Sequence, residues 1–171
     1  MLVAVSSHVA EAGGYLGLGV GTSPSINSEH DTRFTTNGRS AKLLGGMRWG
    51  QWSVEGAVGG VELSLFSNSR AVLDLYQAQL AGRFSLPLGS GFEAYGRAGV
   101  QHAWLSSDNP MIDMQGSGLL VGAGFEYRIN LAVGSGSIFV DYTYAKSNLE
   151  GHQNTYDLNT RMWTLGITVG I

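Results

Sequence analysis

Residues 117–130 read Ser117-Gly-Leu-Leu-Val-Gly-Ala-Gly-Phe-Glu-Tyr-Arg-Ile-Asn130, and the alternation in this stretch decides the fold. One alternate set is apolar: Leu119, Val121, Ala123, Phe125 and Tyr127. The other set carries Leu120, two glycines, Glu126 and Arg128. A period of two places the two sets on opposite faces of a β-strand. The stretch is therefore predicted to be a strand with one apolar face and one face of small and charged residues.

The same alternation recurs along the chain. It is clear in residues 92–104 and 162–171, and the same rule predicts strands at 13–22, 39–50, 51–63, 71–86, 92–104, 117–129, 137–147 and 159–171. Eight strands of about ten or more residues predict an all-β fold, a single closed antiparallel up-and-down transmembrane β-barrel. The barrel domain is assigned to residues 13–171. Residues 1–12 are interpreted as an N-terminal extension or a signal-peptide remnant, because Ala10-Glu11-Ala12 resembles a signal-peptidase site but no basic segment precedes it.

The predicted connections alternate in length. Short ones fall at Gly50-Gln51, Pro87–Gly91 and Leu131–Gly136, a medium one at Ser64–Arg70, and long ones at Ser23–Gly38, Leu105–Gly116 and Ser147–Leu158. Short turns at one end and long loops at the other are typical of outer-membrane barrels. The three prolines, Pro24, Pro87 and Pro110, are all predicted to lie in connections, where a missing N–H breaks no ladder bond.

The composition also points to a membrane. Only 13% of residues are charged and 26 are glycine, whereas soluble domains have roughly 25% charged residues. No apolar run reaches the roughly 18 residues that a transmembrane helix requires. The absence of cysteine excludes disulfides, thiolate zinc sites and cysteine nucleophiles, and a net charge of −3 gives no general attraction to nucleic acid.

Alternation alone does not say which face points outward, because a soluble lipocalin-like barrel would bury its apolar face. The aromatic residues favour the membrane alternative, since they are predicted to lie on the apolar face at both strand ends, like the two interfacial girdles of a membrane barrel. The predicted girdle residues are Trp49, Trp52, Phe84, Phe92, Phe125 and Tyr127 near the short turns, and Trp104, Tyr142, Tyr144 and Trp163 near the long loops. The opposite face is predicted to hold a lumenal charge network of Lys42, Arg48, Glu55, Arg83, Glu93, Arg97, Glu126, Arg128 and Asp141.

Several segments resemble the transmembrane domain of the outer-membrane protein A family. They are residues 80–99 with their proline turn, Gly122–Arg128 followed by Phe139–Tyr144, and the closing strand Thr164–Ile171. The resemblance implies an eight-stranded, porin-like barrel in the outer membrane of a Gram-negative bacterium, with surface-exposed loops. It also implies an assembly signal at Thr164, Gly166, Val169 and Ile171, read by the barrel-assembly machinery. Two departures are Ile171, where the family usually ends in an aromatic residue, and Phe139, where relatives often keep a charge.

Three functions remain open. The favoured one is a monomeric, non-catalytic membrane protein whose long loops contact lipopolysaccharide or other partners; the loop ligand is not predicted. The second is a narrow pore through the charged lumen. The third is a lipid A-modifying enzyme using His102 with Ser106 or Ser107 and Asp108.

The remaining motifs do not predict a metal, phosphate or catalytic site. No catalytic residue, cofactor or metal is expected, since His30, His102 and His152 lack the close spacing of a zinc site. Gly17-Leu-Gly-Val-Gly21 is not followed by the helix that a phosphate loop needs.

Overall fold

The computed structural model describes residues 13–22, 25–27, 33–34, 39–64, 72–107, 114–131, 134–150 and 155–171. Within these ranges the chain is entirely β-structure and turns. The strands are β1 (Gly13–Thr22), β2 (Ser25–Asn27), β3 (Arg33–Phe34), β4 (Arg39–Trp49), β5 (Trp52–Ser64), β6 (Val72–Gly89), β7 (Phe92–Ser107), β8 (Met114–Leu131), β9 (Gly134–Glu150) and β10 (Thr155–Gly170). The predicted segment 1–12 lies outside the described residues.

Eight of these strands form the barrel wall. The order is β1-β4-β5-β6-β7-β8-β9-β10, every neighbouring pair is antiparallel, and β1 also pairs with β10. The seam aligns Tyr15 with Gly170 and Gly21 with Thr164. Closure of the sheet leaves its backbone groups paired around the whole circumference, as a sheet in lipid requires. The predicted closed up-and-down barrel is confirmed.

The two short strands belong to the first long connection. β2 pairs with the start of β10, joining Asn27 to Asn159, and β3 pairs with β2. This connection was predicted as a loop, and part of it instead continues the wall beyond the end of β1.

The faces follow the predicted parity. Along β4 the side chains alternate from exposed Arg39 through buried Ser40 to exposed Leu43 and buried Leu44. Large apolar side chains lie on the outer surface, and Leu119 is 70% exposed. The inner side chains are mostly polar or charged and are buried. This inside-out distribution is that of a membrane barrel and excludes the soluble lipocalin-like alternative.

The turns at one end are tight. Trp49 pairs with Trp52, so Gly50 and Gln51 form a two-residue hairpin, and Gly50 has a φ of 63°. Positive φ is the backbone conformation that such hairpins need and that glycine adopts without strain.

One predicted turn was placed wrongly. Pro87 was predicted to lie in a connection, but it lies in β6 opposite Glu93, next to a register shift between Pro87 and Gly89. The Ser85 N–H points towards β5, where it donates to Gln51 O at 2.8 Å. Two residues later the Pro87 nitrogen faces the same way, beyond the start of β5 at Trp52, so its missing N–H removes no ladder bond.

Three predicted connections were too long. Leu131 pairs with Gly134, so the predicted link at Leu131–Gly136 shortens to residues 132–133, which lie outside the described residues. The predicted loop Ser147–Leu158 is mostly strand, because Glu150 pairs with Thr155 and Ser147 with Leu158. Strands β7 and β8 likewise reach into the predicted loop Leu105–Gly116.

Candidate functional site

The lumen contains a network of ion pairs centred on Arg97. Its guanidinium donates to Glu55 Oε1 at 2.9 Å and to Asp141 Oδ1 at 2.8 Å, and it also donates to Thr143 Oγ1. The Arg97 side chain is 2% exposed. Because β7 carries Arg97 while Glu55 and Asp141 lie on β5 and β9, one guanidinium joins strands on both sides of its own. Arginine suits this position because its planar guanidinium presents several N–H donors in a fixed fork, so one side chain reaches two separate carboxylates.

A second arginine continues the network. Arg83 forms a hydrogen-bonded ion pair with Glu126 and lies 3.8 Å from Glu55. Its guanidinium carbon lies 3.7 Å from the centre of the Tyr95 ring, the distance of a cation–π contact. Tyr95 in turn donates its hydroxyl to Asp141 at 3.3 Å. The network therefore includes an aromatic side chain that fills space between the charges.

Lys42 is the most weakly held member. Its Nζ lies 3.9 Å from Asp141 Oδ1 and makes no hydrogen bond to a described residue. With Lys42 counted, the central group has three cations (Lys42, Arg83 and Arg97) and three anions (Glu55, Glu126 and Asp141), and all six are buried. The central group is thus electrically balanced, which offsets the cost of removing its charges from water.

A separate group lies near the tight turns. Glu93 accepts hydrogen bonds from Arg48 at 2.9 and 3.1 Å and lies 3.1 Å from Arg128. Arg48 also donates to Gly50 O at 2.8 Å, which ties the turn to the lumen. The Arg128 side chain is 41% exposed, so it stands at the lumen mouth rather than in the interior. The structure thus places all nine predicted lumenal residues on the inner face and in two groups, while a role for them beyond structure stays a prediction.

Two inward tyrosines were not predicted as site residues. Tyr15 donates its hydroxyl to Glu55 at 3.0 Å, and Tyr95 contacts Arg83 and Asp141 as described above. Both have the parity of the charged face, since Tyr95 lies between Glu93 and Arg97 in the alternation of β7. Parity was the signal that could have identified them, but the preference of aromatic residues for the lipid face obscured it.

An apolar cluster completes the interior. Phe139 is buried and packs with Leu44 and Ala57, with Tyr15 against them. Phe139, a departure from the resemblance described above, is therefore a buried aromatic side chain in the lumen.

The predicted girdle residues all have outward parity. At the tight-turn end the rings of Trp52 and Phe84 lie 4.8 Å apart and those of Phe92 and Tyr127 lie 4.6 Å apart. At the opposite end Tyr142 and Trp163 pair at 4.9 Å. Tyr144, on the same face, donates its hydroxyl to Asn159 at 3.0 Å. Amphipathic rings at two levels match the two edges of a bilayer.

The predicted assembly signal has side chains on both faces of β10. Thr164 is buried in the lumen, while Val169 and Ile171 are exposed on the outer surface. Gly166 lies under Phe139, where an added Cβ would come within 2.4 Å of the ring. Packing within the barrel therefore accounts for Gly166, and recognition by an assembly factor stays a prediction.

His102 contacts the neighbouring strand and the next outward ring on its own strand. Its Nδ1 lies 2.8 Å from Ser117 Oγ on the neighbouring strand, and its ring contacts Trp104 at 4.5 Å. Asp108 lies outside the described residues, and the side chains of Ser106 and Ser107 are likewise not described. The described residues contain no cluster of His, Cys, Asp and Glu that would hold a metal ion. No helix in the described part of the chain is long and apolar enough to cross a membrane.

Comparison with known proteins places the chain in a family. The family described as outer membrane protein beta-barrel domain matches residues 1–170. No curated protein matches the chain.

Among solved structures, Neisserial surface protein A (NspA) superposes with a TM-score of 0.65 at 16% identity, over 91% of this chain and 96% of that one. Ail, the attachment invasion locus protein of Yersinia pestis, gives 0.60 at 17% identity, over 94% and 99%. OprG of Pseudomonas aeruginosa gives 0.50 at 17% identity, over 94% and 96%. At these identities the likeness shows the fold alone. With the family match over nearly its whole length, the chain belongs to the outer-membrane β-barrel family.

Proposed function

We propose that the protein is a non-catalytic anchor in the bacterial outer membrane that presents its long-connection end to the outside. The observation that carries this proposal is the state of the lumen. The central charges are buried and paired with one another across the barrel, with Arg97 joined to both Glu55 and Asp141. Paired charges that fill the lumen support a structural role in holding the barrel strands together, rather than a role in lining a water-filled path.

The long-connection end supports a role in presentation. Strand β9 continues six residues beyond Tyr144 to Glu150, which corresponds to about 20 Å along the strand. Glu150 pairs with both Thr155 and Gln115, so β8, β9 and β10 rise together above the girdle. The opposite end has a two-residue turn at Gly50-Gln51. A raised rim on one side is a support for loops that contact something outside the membrane.

The charge of these loops limits which kinds of partner they can bind. The three long predicted connections contain six acidic residues and one basic residue, Arg33: the acids are Glu29, Asp31, Asp108, Asp113, Glu150 and Asp157. Acidic loops repel polyanions and favour neutral or cationic partners. Ail has been solved with the heparin analogue sucrose octasulfate, and the loop charges here argue against a sulfated polysaccharide partner.

Three further statements form part of the proposal. The barrel is a monomer, its outer surface contacts outer-membrane lipid and lipopolysaccharide, and the barrel-assembly machinery engages β10. Support comes from the exposed apolar wall and from the amphipathic final strand, whose outward residues include Leu165, Ile167 and Val169.

Planar-bilayer recording tests the closed lumen against the pore alternative. We expect the refolded wild-type barrel to pass no measurable current, because paired charges occupy the lumen. Arg97→Ala removes the side chain that joins Glu55 to Asp141, and we expect it to conduct, with Arg161→Ala on the outer face as the silent control. Discrete wild-type channel openings would overturn the anchor proposal in favour of a pore.

Protease protection tests the orientation. In intact cells we expect external protease to cut within residues 108–113 or 151–154 and to leave the turn at Gly50-Gln51 intact until the membrane is opened. Cleavage with the reverse accessibility would overturn the proposed orientation. Gel mobility with and without boiling provides the check that the barrel was folded.

A further inference from the structure

The outer wall carries an aromatic patch where β6, β7 and β8 leave the apolar band. The ladder pairs Tyr76 with Trp104 and Trp104 with Gln115, and two residues lower it pairs His102 with Ser117. These five residues define the patch. Tyr76 is 54% exposed, Trp104 is 40% exposed, and Gln115 and Ser117 are also exposed. Two large rings therefore stand side by side on the surface, with an amide, an imidazole and a hydroxyl group next to them.

The rings of the patch keep surface available for a ligand. The His102 ring meets the Trp104 ring edge-on, with centroids 4.5 Å apart, and so orients it from below. Tyr76 and Trp104 are cross-strand neighbours, but their rings do not pair with one another, and Tyr76 pairs with no other ring among the described residues. By contrast, the girdle pair on β9 and β10 packs ring against ring at 4.9 Å. The patch therefore presents pre-oriented aromatic surface outward.

The patch lies at the level of the outer-leaflet head groups. On β7 the outward residues from Phe92 to Val100 are apolar or glycine, and the first polar one is His102. The ten residue steps from Phe92 to His102 correspond to about 33 Å along the strand, or about 25 Å across the membrane at a strand tilt of about 40°. The apolar band of a membrane barrel is about 25 Å tall. Trp104 and Gln115 therefore stand beside head groups rather than acyl chains.

The acidic residues beside the patch disfavour phosphate. Glu150 stands opposite Gln115 in the ladder, and Asp74 lies two residues beyond Tyr76 on the same face of β6. Among the described pairings, no lysine or arginine stands opposite a patch residue. Carboxylates repel phosphate groups but accept hydrogen bonds from hydroxyl groups, and amides both donate and accept them. The surroundings therefore suit a sugar better than a phosphate.

We propose that the aromatic patch binds an uncharged sugar ring of lipopolysaccharide. The apolar face of the sugar lies on Tyr76 and Trp104, and its hydroxyl groups form hydrogen bonds with Gln115 and Ser117. Aromatic rings suit this role because they bury a large apolar area and carry a polar edge that stays in contact with water. The inference rests on the proposed orientation and on the proposed contact with lipopolysaccharide. It names the part of the wall and the part of the lipid that meet.

Native mass spectrometry tests the patch, with the barrel folded in a detergent that has no sugar head group and with lipopolysaccharide added. We expect the wild-type protein to retain lipopolysaccharide and Trp104→Leu to lower the retained fraction about tenfold, since a stacking surface is lost. Tyr76→Leu should act in the same direction. Trp163→Leu is the matched control, because it removes an outward girdle tryptophan on β10, away from the patch. Dephosphorylated lipopolysaccharide should be retained as well as the untreated lipid.

Four results would overturn the proposal: no retention by the wild type, equal retention by Trp104→Leu and the wild type, an equal loss in Trp104→Leu and Trp163→Leu, or weaker retention after dephosphorylation. Phosphatidylethanolamine, which has no sugar, should be retained less than lipopolysaccharide, and equal retention would also contradict a sugar site. Gel mobility without boiling checks that each variant is folded. Because the assay uses micelles, its failure leaves the anchor role intact, and a conducting or reversed barrel is detected only by the bilayer and protease experiments.

Discussion

The two halves of the lumen are built differently. Towards the tight turns the interior holds the charged groups around Arg97 and Glu93. Towards the long connections it holds uncharged side chains, such as Gln101, which donates to Ser147 Oγ at 2.7 Å, and an apolar cluster of Ala81, Leu120 and Ala145. The charged half fixes strands that are not neighbours through strong, directional pairs. The uncharged half fills the interior with small apolar and neutral polar side chains, so its contacts carry no buried charge.

This difference predicts that disruption of the charged half has the larger energetic effect. The largest change is expected for Arg97→Ala, which leaves Glu55 and Asp141 buried without their main partner. We expect a loss of about 3–5 kcal/mol in the free energy of unfolding. Urea titration of the barrel in lipid vesicles, followed by tryptophan fluorescence, measures it. Arg161→Ala serves as the outer-face control, and an equal loss in the two variants would contradict the special role of the lumenal pairs.

At the boundary between the two halves, the close packing of β6 against β7 predicts a steric effect of added side chains. A Cβ at Gly99 would lie 2.0 Å from Leu80 O, whereas a Cβ at Gly82 on the adjacent strand has its nearest neighbour at 4.0 Å. Because the clash is with backbone, Gly99→Ala should destabilise the barrel by about 1–3 kcal/mol and Gly82→Ala by much less. Thermal unfolding of both variants in the same micelle checks the pair. If the two variants unfold at the same temperature, the close approach of Gly99 on β7 to the Leu80 carbonyl on β6 is contradicted.

The uncharged half should respond weakly to loss of a hydrogen bond. Gln101→Leu removes the donor to Ser147 and should cost about 1 kcal/mol. Adding Ser147→Ala should restore most of this loss, because an apolar pair leaves no buried hydroxyl unpaired. A double-mutant cycle in urea measures both. A loss as large as that of Arg97→Ala would remove the distinction between the halves.

The smallest effect is expected for Lys42→Met. The ammonium lies 3.9 Å from Asp141 and makes no hydrogen bond to a described residue. Relief of its desolvation cost should roughly offset the lost attraction, so the free energy of unfolding should change by less than about 1 kcal/mol. The same urea titration measures it, with Arg83→Met as the comparison because Arg83 does form a hydrogen-bonded pair with Glu126. A large loss for Lys42→Met would show that the central group depends on its charge balance more than on its hydrogen bonds.

The sequence predicted the barrel strands well where they cross the membrane, because lipid outside and polar groups inside force a period of two. The strand prediction failed beyond the aromatic girdle, towards the long connections. Residues Ser147–Glu150 form strand paired with β10, yet they show no apolar alternation, since both faces lie beyond the lipid. Pro87 was misplaced because the sequence does not show which neighbour its nitrogen faces.

The candidate site was predicted as a set but not as a network. Parity identified Arg97, Glu55 and Asp141 as inward residues. It did not show that they meet, because their contacts cross from β7 to β5 and β9 and depend on the stagger and tilt of the strands.

The seam between β1 and β10 has a kinetic consequence. Tyr15–Gly21 and Thr164–Gly170 are paired across nearly the full length of the chain, and Ile171 N–H donates to Gly14 O at 2.9 Å. Among the described strands, every other hydrogen-bonded pairing in the wall joins strands that follow one another, apart from the insertion of β2 and β3. Hairpins of consecutive strands can therefore form through local contacts, but the ring stays open until the first and last strands pair. Until that pairing forms, the exposed edge of β1 is the place where a free peptide with the β10 sequence would trap the open barrel.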